Sequence, residues 1–174
     1  TNPLLERSIA EAAGIGWIGK NGMLIVPETG SFVAVGELLV NYSIATSQPV
    51  KEQCDTCKAC MLACPAQAIS KDKRVIAKNC LSWLSQKKEE LTKEEKILLD
   101  NRIFGCDTCQ LVCPFNQEYI KDIRYDELSF NRTKLEAMSK KEFRAAFGDK
   151  SYAWRGKKQL LKNYLRALKD TFIR

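Results

Sequence analysis

An α+β fold is what the sequence predicts, and three observations carry that expectation. Two glycine-punctuated apolar runs lie near the start, eight cysteines gather around two motifs that each close on Cys-Pro, and the last third repeats apolar residues at helical spacing.

At the start, Asn2 can cap a helix running to about Ala13, Pro3 suits its first helical position, and Gly14 can close it. The loop Gly14-Ile15-Gly16-Trp17-Ile18-Gly19-Lys20-Asn21-Gly22 follows, then the apolar run Met23 to Val26. A turn at Pro27-Glu28-Thr29-Gly30 separates it from a second Val- and Leu-rich run, Ser31 to Val40, so residues 23–40 predict a hairpin or strand pair. Gly14-x-Gly16-x-x-Gly19 has the letters of a dinucleotide fingerprint. That motif, however, must follow a strand and open a helix, so that the helix N-terminus meets the pyrophosphate. Here a helix precedes and a strand follows, which argues against nicotinamide binding. What the glycines require is a tight loop displaying Lys20 and Asn21, either a buried turn with a satisfied asparagine or a cofactor-lining loop.

A polar linker, Thr46 to Gln53, leads to the cysteines. They read Cys54-x2-Cys57-x2-Cys60-x3-Cys64-Pro65, then a detached Cys80, then Cys106-x2-Cys109-x3-Cys113-Pro114. This spacing is the signature of two 4Fe-4S clusters, in which the cysteine before proline points away from its own motif and ligates the other cluster. Cys54, Cys57, Cys60 and Cys113 are thereby assigned to the first cluster, and Cys64, Cys80, Cys106 and Cys109 to the second. Zinc sites are built from Cys-x2-Cys pairs or Cys/His mixtures and do not require the Cys-Pro endings, and the chain has no histidine. Disulfide frameworks belong to small secreted chains; no signal-like or membrane-spanning run is visible, and 174 residues can bury a core without staples.

Between the motifs, a helix is expected from Asp72 to Gln86 and another from Thr92 to about Asn101, where Thr92 and Glu95 make a capping box. Residues 133–147 pattern as one amphipathic helix through Leu135, Met138, Phe143 and Phe147. Residues 157–173 make a second, with Leu160, Leu161, Tyr164, Leu165, Leu168 and Phe172 on one face and Lys158, Lys162, Arg166 and Lys169 opposite. Two cubanes are an electron path rather than a catalyst, and something else must take the electrons.

The formal charge of +7 is unevenly spread: residues 1–120 hold 13 Lys/Arg against 14 Asp/Glu, and residues 121–174 hold 15 against 7. Clustered cations suit a phosphate backbone, since binding releases condensed counterions; a solvated helix face is the plainer alternative. Tyr152, Trp154 and Arg155 interleave aromatics with the cations, which suits stacking on a folded RNA. The lack of a larger hydrophobic anchor makes a membrane the least favoured partner.

Taken together, Pro3-Leu-Leu-Glu-Arg, Gly-Ile-Gly-Trp-Ile-Gly-Lys-Asn, Gly30-Ser31 through Gly36-Glu37, the Cys54–Pro65 motif, Cys80-Leu-Ser-Trp-Leu and Gly105-Cys-Asp-Thr-Cys-Gln-Leu-Val-Cys-Pro-Phe-Asn116 resemble epoxyqueuosine reductase. The resemblance implies removal of the epoxide oxygen of epoxyqueuosine in tRNA by cobalamin fed from two 4Fe-4S clusters. It further implies part of a cobalamin-binding α/β domain over residues 1–48, a bacterial ferredoxin-like two-cluster module over 49–120, and over 121–174 a basic helical segment opening a tRNA-binding region. By position, Lys20, Asn21, Leu24, Val35 and Ser82 match places that line the corrin. The proton donor, an aspartate, would fall immediately upstream of Thr1, so no residue of this chain is assigned as the catalytic acid. A cytoplasmic monomer served by an external electron donor, such as ferredoxin or flavodoxin, is expected, without membrane contact. The family is roughly twice this length, so the chain reads as truncated at both ends. Two alternatives stay open: a cobalamin-dependent reductive dehalogenase, which would have no use for the basic tail, and a non-catalytic ferredoxin-type carrier, which would not need the flanking segments.

Overall fold

The computed structural model describes residues 5–121 and 132–171. In chain order they form α1 (Glu6–Ala12), β1 (Trp17–Ile18), β2 (Leu24–Ile25), α2 (Ala59–Ala63), α3 (Leu81–Leu84), α4 (Lys93–Leu99), α5 (Thr108–Leu111), α6 (Gln117–Ile120), α7 (Arg132–Ala137), α8 (Lys140–Phe147) and α9 (Lys157–Thr171). Short 3₁₀ turns lie at Ala77–Asn79, Pro114–Asn116 and Ala153–Arg155. Helices with one small sheet make the class α+β. Asn2, Pro3 and Phe172 lie outside the described residues, as does the side chain of Lys169. The chain divides into two compact units, Thr1–Ile76 with Thr108–Ile123, and Ala77–Asp107 with Arg124–Arg174.

In the first unit, α1 is fastened to a hairpin. Glu11 Oε1 accepts the Ile18 N–H at 2.7 Å, and the Arg7 guanidinium donates to the Gly22 carbonyl. The hairpin is antiparallel, with Trp17 opposite Ile25 and Ile18 opposite Leu24. This corrects the expectation of a strand pair over 23–40: the first strand lies in the glycine loop itself. Gly16 makes that possible, because a Cβ there would sit 2.1 Å from the Ile25 carbonyl oxygen. The turn at Pro27–Gly30 forms as expected, closed by a bridge between Val26 and Gly30. Residues 32–49, however, form neither helix nor strand, and Leu38 and Leu39 are 86% and 90% exposed. β-rich composition alone does not make a strand without a neighbour to complete the ladder, and no described residue pairs with this run. Trp17, Ile25 and Cys113 form the buried centre, with Val50, Cys54 and Phe115 against it. Trp17 and Phe115 meet edge to face at 5.0 Å.

In the second unit, Leu135, Phe143 and Leu160 are packed by Ile103, Phe104, Phe147, Tyr152, Ala153 and Leu161. The expected 133–147 helix is two helices. Ser139 leaves helical geometry at ψ 166 and caps α8 through a capping box with Glu142, a Ser-x-x-Glu signal that outweighs the continuous apolar period. The expected 72–86 helix, whose first residues belong to the first unit, is also broken: Ile69 bridges Val75, Lys73 sits at φ +59 in the intervening turn, and only Leu81–Leu84 are α-helical. β-branched Val75 and Ile76 favour the extended form, and Cys80 is extended too, at ψ 125. The Thr92–Glu95 capping box is present. Among the described residues no helix is long and apolar enough to cross a membrane.

Candidate metal centre

A tight turn, with the Cys57 N–H donating to the Cys54 carbonyl at 2.9 Å, opens the first cysteine loop, and α2 follows. Proline ends that helix. The residue before a proline is driven out of helical geometry, and Cys64 accordingly stands at φ −68, ψ 112, and Cys113, before Pro114, at φ −72, ψ 126. The Cys-Pro pairs thus swing their thiols off the helices that precede them.

Cys54, Cys57 and Cys60 meet Cys113 around one small void of about 20 Å³, whose remaining walls are Lys20, Asn21, Ile25, Ala59, Pro114 and Phe115. The four thiols come from two stretches of chain more than fifty residues apart and are those the spacing groups together. Burial pushes the Cys60 thiol up, and the neighbouring Cys113, Cys54 and Cys57 raise it further. Cys113, 7% exposed, is likewise raised by burial and then by Cys54 and Cys57, against a hydrogen bond donated by the Phe115 backbone N–H that lowers it. Without a cation these sulfurs therefore resist ionisation, and a bound metal would reverse that preference. Among the described residues no three Cys, Asp or Glu side chains close on a single ion. An all-sulfur ring around a void is a donor set that fits an iron–sulfur cluster.

The hairpin turn grips this loop. Lys20 Nζ donates to the carbonyls of Cys57 at 2.8 Å, Cys54 at 3.4 Å, and Asp55. Asn21, 4% exposed, accepts the Met23 N–H at 3.2 Å and donates to the Cys109 carbonyl at 3.5 Å, so it is the satisfied asparagine of a buried turn. Nothing in the sequence pattern announces the lysine clamp. Of the other positions matched to a corrin lining, Leu24 is 3% exposed in β2, Val35 is half-buried in the irregular segment rather than on a strand, and Ser82 is the second residue of α3 with its Oγ beside Gln86 Nε2.

A buried polar knot braces the Cys-Pro turn. The Ser31 N–H donates to Asn116 Oδ1 at 2.7 Å, Ser31 Oγ donates to Gln110 Oε1 at 2.9 Å, and Asn116 Nδ2 donates to Ser31 Oγ and the Gln110 carbonyl. Gly30, at φ +81, leaves room for it: a Cβ there would meet Asn116 Oδ1 at 2.2 Å.

The remaining cysteines are divided between the units. Cys64, whose Sγ accepts the Ala68 N–H at 3.3 Å, and Cys109 of α5 belong to the first, where α2 packs on α5. Cys80, at the start of α3, and Cys106 belong to the second. There Ser85 Oγ accepts the Gly105 N–H at 3.0 Å, and Asn163, 2% exposed, donates to the Ser85 and Ile103 carbonyls at 2.5 and 2.8 Å.

Residues 53–116 match the model of the 4Fe-4S double cluster binding domain. The chain is 38% identical over 171 residues to the epoxyqueuosine reductase of Listeria monocytogenes, covering 94% of this chain and 45% of that protein. With the epoxyqueuosine reductase of Escherichia coli it shares 47% identity over 116 residues, 66% of this chain and 31% of that protein. Among solved structures it is similar to an epoxyqueuosine reductase crystallised with a tRNA-Tyr epoxyqueuosine-modified stem loop, at TM-score 0.84 and 37% identity over 98% of this chain and 47% of that one. The chain thus spans about half the length of the relatives it matches over nearly its whole length.

Proposed function

We propose that this chain, a homologue of one half of the epoxyqueuosine reductases, is the iron–sulfur and RNA-facing segment of such an enzyme. The reaction removes the epoxide oxygen of epoxyqueuosine in tRNA: two electrons and two protons are consumed, both carbon–oxygen bonds break, a carbon–carbon double bond forms, and the oxygen leaves as water. The observation that carries this function is the single void walled by Cys54, Cys57, Cys60 and Cys113.

In this assignment those four thiolates hold one 4Fe-4S cluster, and Cys64, Cys80, Cys106 and Cys109 hold a second, the latter on the strength of the motif spacing and the double-cluster family match. Bound clusters supply one-electron transfer. The chain's own residues fix the sulfurs: Lys20 holds the Cys54–Cys57 carbonyls, the Ser31–Gln110–Asn116 knot braces the Cys113–Pro114 turn, and the Trp17–Ile25–Phe115 packing keeps water from that side.

Cobalamin as the electron acceptor follows from the family resemblance. Its corrin pocket is not assembled by the described residues alone: Lys20 and Asn21 share their void with the cysteines, and Leu24 is buried in the sheet. The RNA partner is supported by the cation excess of residues 121–174 and by the relative solved with a tRNA stem loop. An external one-electron donor, a monomeric state and a cytoplasmic setting complete the proposal.

The test is direct. The full protein, purified anaerobically, is incubated with epoxyqueuosine-containing tRNA, cobalamin and a low-potential reductant, and the modified nucleoside is weighed by mass spectrometry. Loss of one oxygen, with about eight irons per polypeptide, is expected; iron-loaded protein that leaves the epoxide intact refutes the assignment. The 174-residue segment alone is expected to take up iron without turnover.

A further inference from the structure

We propose that a basic cleft in the second unit binds a single-stranded stretch of RNA, with Trp154 as the stacking platform for an unpaired base and the surrounding cations holding its phosphates. This rests on the RNA-directed function proposed above and specifies where the nucleic acid sits.

The cleft, of about 990 Å³, lies where the starts of α8 and α9 meet the loop that joins these helices. Lys140, Lys141 and Arg144 line it from α8, and Lys157 and Lys158 from α9; its one acidic residue, Asp149, is already 3.6 Å from Lys150. Lys140, Lys141, Arg144 and Lys158 are all exposed, and among the described residues none of them is in an ion pair. Lys157 is held in position by the Glu136 and Met138 carbonyls, with the Glu142 carboxylate near enough to feel its charge. The first turn of α9 carries no acidic residue, so its backbone dipole adds to the positive field.

The aromatic makes the cleft selective. Trp154 is 63% exposed, which is unusual for so large an apolar ring. It is nevertheless fixed: its Nε1–H donates to Gln86 Oε1 at 2.8 Å, and Gln86 is anchored in turn to the Ser82 carbonyl at 2.8 Å. The Arg155 guanidinium lies 3.9 Å over one face of the ring as a cation–π contact, which leaves the opposite face for a base. A planar ring immobilised at its polar edge, open to solvent and ringed by cations is the combination that single-stranded nucleic acids use, bases stacking while phosphates meet lysines. A membrane would call for several protruding apolar side chains beside the cations, and an acidic peptide has no need of a clamped indole.

The experiment measures binding by the full, iron-loaded protein and its variants to a short unstructured oligoribonucleotide, a blunt RNA duplex, polyglutamate and phosphatidylserine vesicles. Trp154→Ala is expected to weaken the single strand about tenfold, within the range for loss of one base stack, while Trp154→Phe retains most affinity and duplex and polyglutamate binding are unchanged. The triple variant Lys140→Gln, Lys141→Gln, Arg144→Gln is expected to reduce the slope of log K against log salt by about 2, at ~0.7 for each single-strand phosphate that is no longer neutralised. Thermal melts of each variant confirm folding. Unaltered single-strand affinity in folded Trp154→Ala, an equal loss toward polyglutamate, or preference for vesicles overturns the cleft assignment. The two proposals fail separately: a protein that reduces epoxyqueuosine in tRNA with a KM indifferent to Trp154→Ala loses only the cleft. A protein that binds the oligonucleotide through Trp154 yet leaves the epoxide intact loses only the reductase function.

Discussion

Replacing Lys20 by methionine removes an ammonium that donates to three successive-turn carbonyls, those of Cys54, Asp55 and Cys57, while keeping the aliphatic stem. A hydrogen bond to a charged group contributes about 1.5–3 kcal/mol. Three do not add here, because Asp55 and its neighbours face solvent and water replaces part of what is removed. A net cost near that of one bond, about 2 kcal/mol, corresponds to roughly 30-fold in the equilibrium for opening the loop. The assay is anaerobic release of iron to a ferrous chelator, which is expected to accelerate by about that factor. A second readout separates charge from scaffolding. Removing a cation beside a cluster lowers its reduction potential, since net charge is one of the levers that set it, so Lys20→Met should shift one cluster downward in an EPR-monitored titration, and Lys20→Arg should restore both properties in large part. Iron release and potential equal to the wild type would refute the clamp. If cobalamin affinity alone fell, Lys20 would instead belong to the corrin lining that the sequence resemblance implies.

Cys113→Ser should reduce iron from about eight to about four per polypeptide, by removing the one ligand of the first set that comes from the second motif; metal analysis with EPR checks it. Asn116→Ala leaves the Ser31 N–H and the Gln110 carbonyl without their partner in a buried site, at about 1–3 kcal/mol each, and should lower the thermal midpoint markedly, whereas an exposed control such as Glu118→Gln should not. Glu95 is held below the ordinary carboxylate range by Lys87 and by the Thr92 N–H. Its contribution to α4 is complete above the unfolded-state pKa and disappears as pH falls through the depressed folded value, so Glu95→Gln should flatten the acid limb of a pH-dependent melt; an unchanged limb would count against the capping box. Arg166→Gln should destabilise the second unit, since its guanidinium caps the Asp100 and Arg102 carbonyls beyond α4, yet leave the salt dependence of RNA binding unaltered. A smaller salt slope would place Arg166 on the RNA instead.

Much of the site was legible because its chemistry is local or counted. The cysteine intervals grouped Cys54, Cys57, Cys60 and Cys113, and the same four line one void. Thr92-x-x-Glu95 announced its capping box, and Pro27-Glu28-Thr29-Gly30 its turn. What escaped was set by distant partners. A two-residue strand at Trp17–Ile18 has no periodicity to detect, and its pairing with Leu24–Ile25 depends on Gly16 admitting a carbonyl. The Val- and Leu-rich run after Ser31 looked like a strand because composition reports β preference without reporting a neighbour. Lys20 reaches carbonyls 34 to 37 residues away, and a flexible four-carbon stem leaves no spacing rule by which to foresee it.

The cation excess shows why charge must be located before it is interpreted. Read as a helical wheel, residues 157–173 present Lys158, Lys162, Arg166 and Lys169 as one solvated basic face. In the folded second unit that face is partly internal: Lys162 pairs with Glu90 at 2.9 Å, and Arg166 turns to the carbonyls beyond α4. These charges stabilise the helices around Ile103 and Asn163, which carry the chain toward Cys106, rather than waiting for a polyanion. The cations left for a phosphate come chiefly from the start of α8, which the sequence pattern treated as an ordinary amphipathic helix. Counterion release scales with the phosphates actually neutralised, so the salt slope should reflect the handful of exposed cleft residues and not the full excess of 15 Lys/Arg over 7 Asp/Glu in residues 121–174.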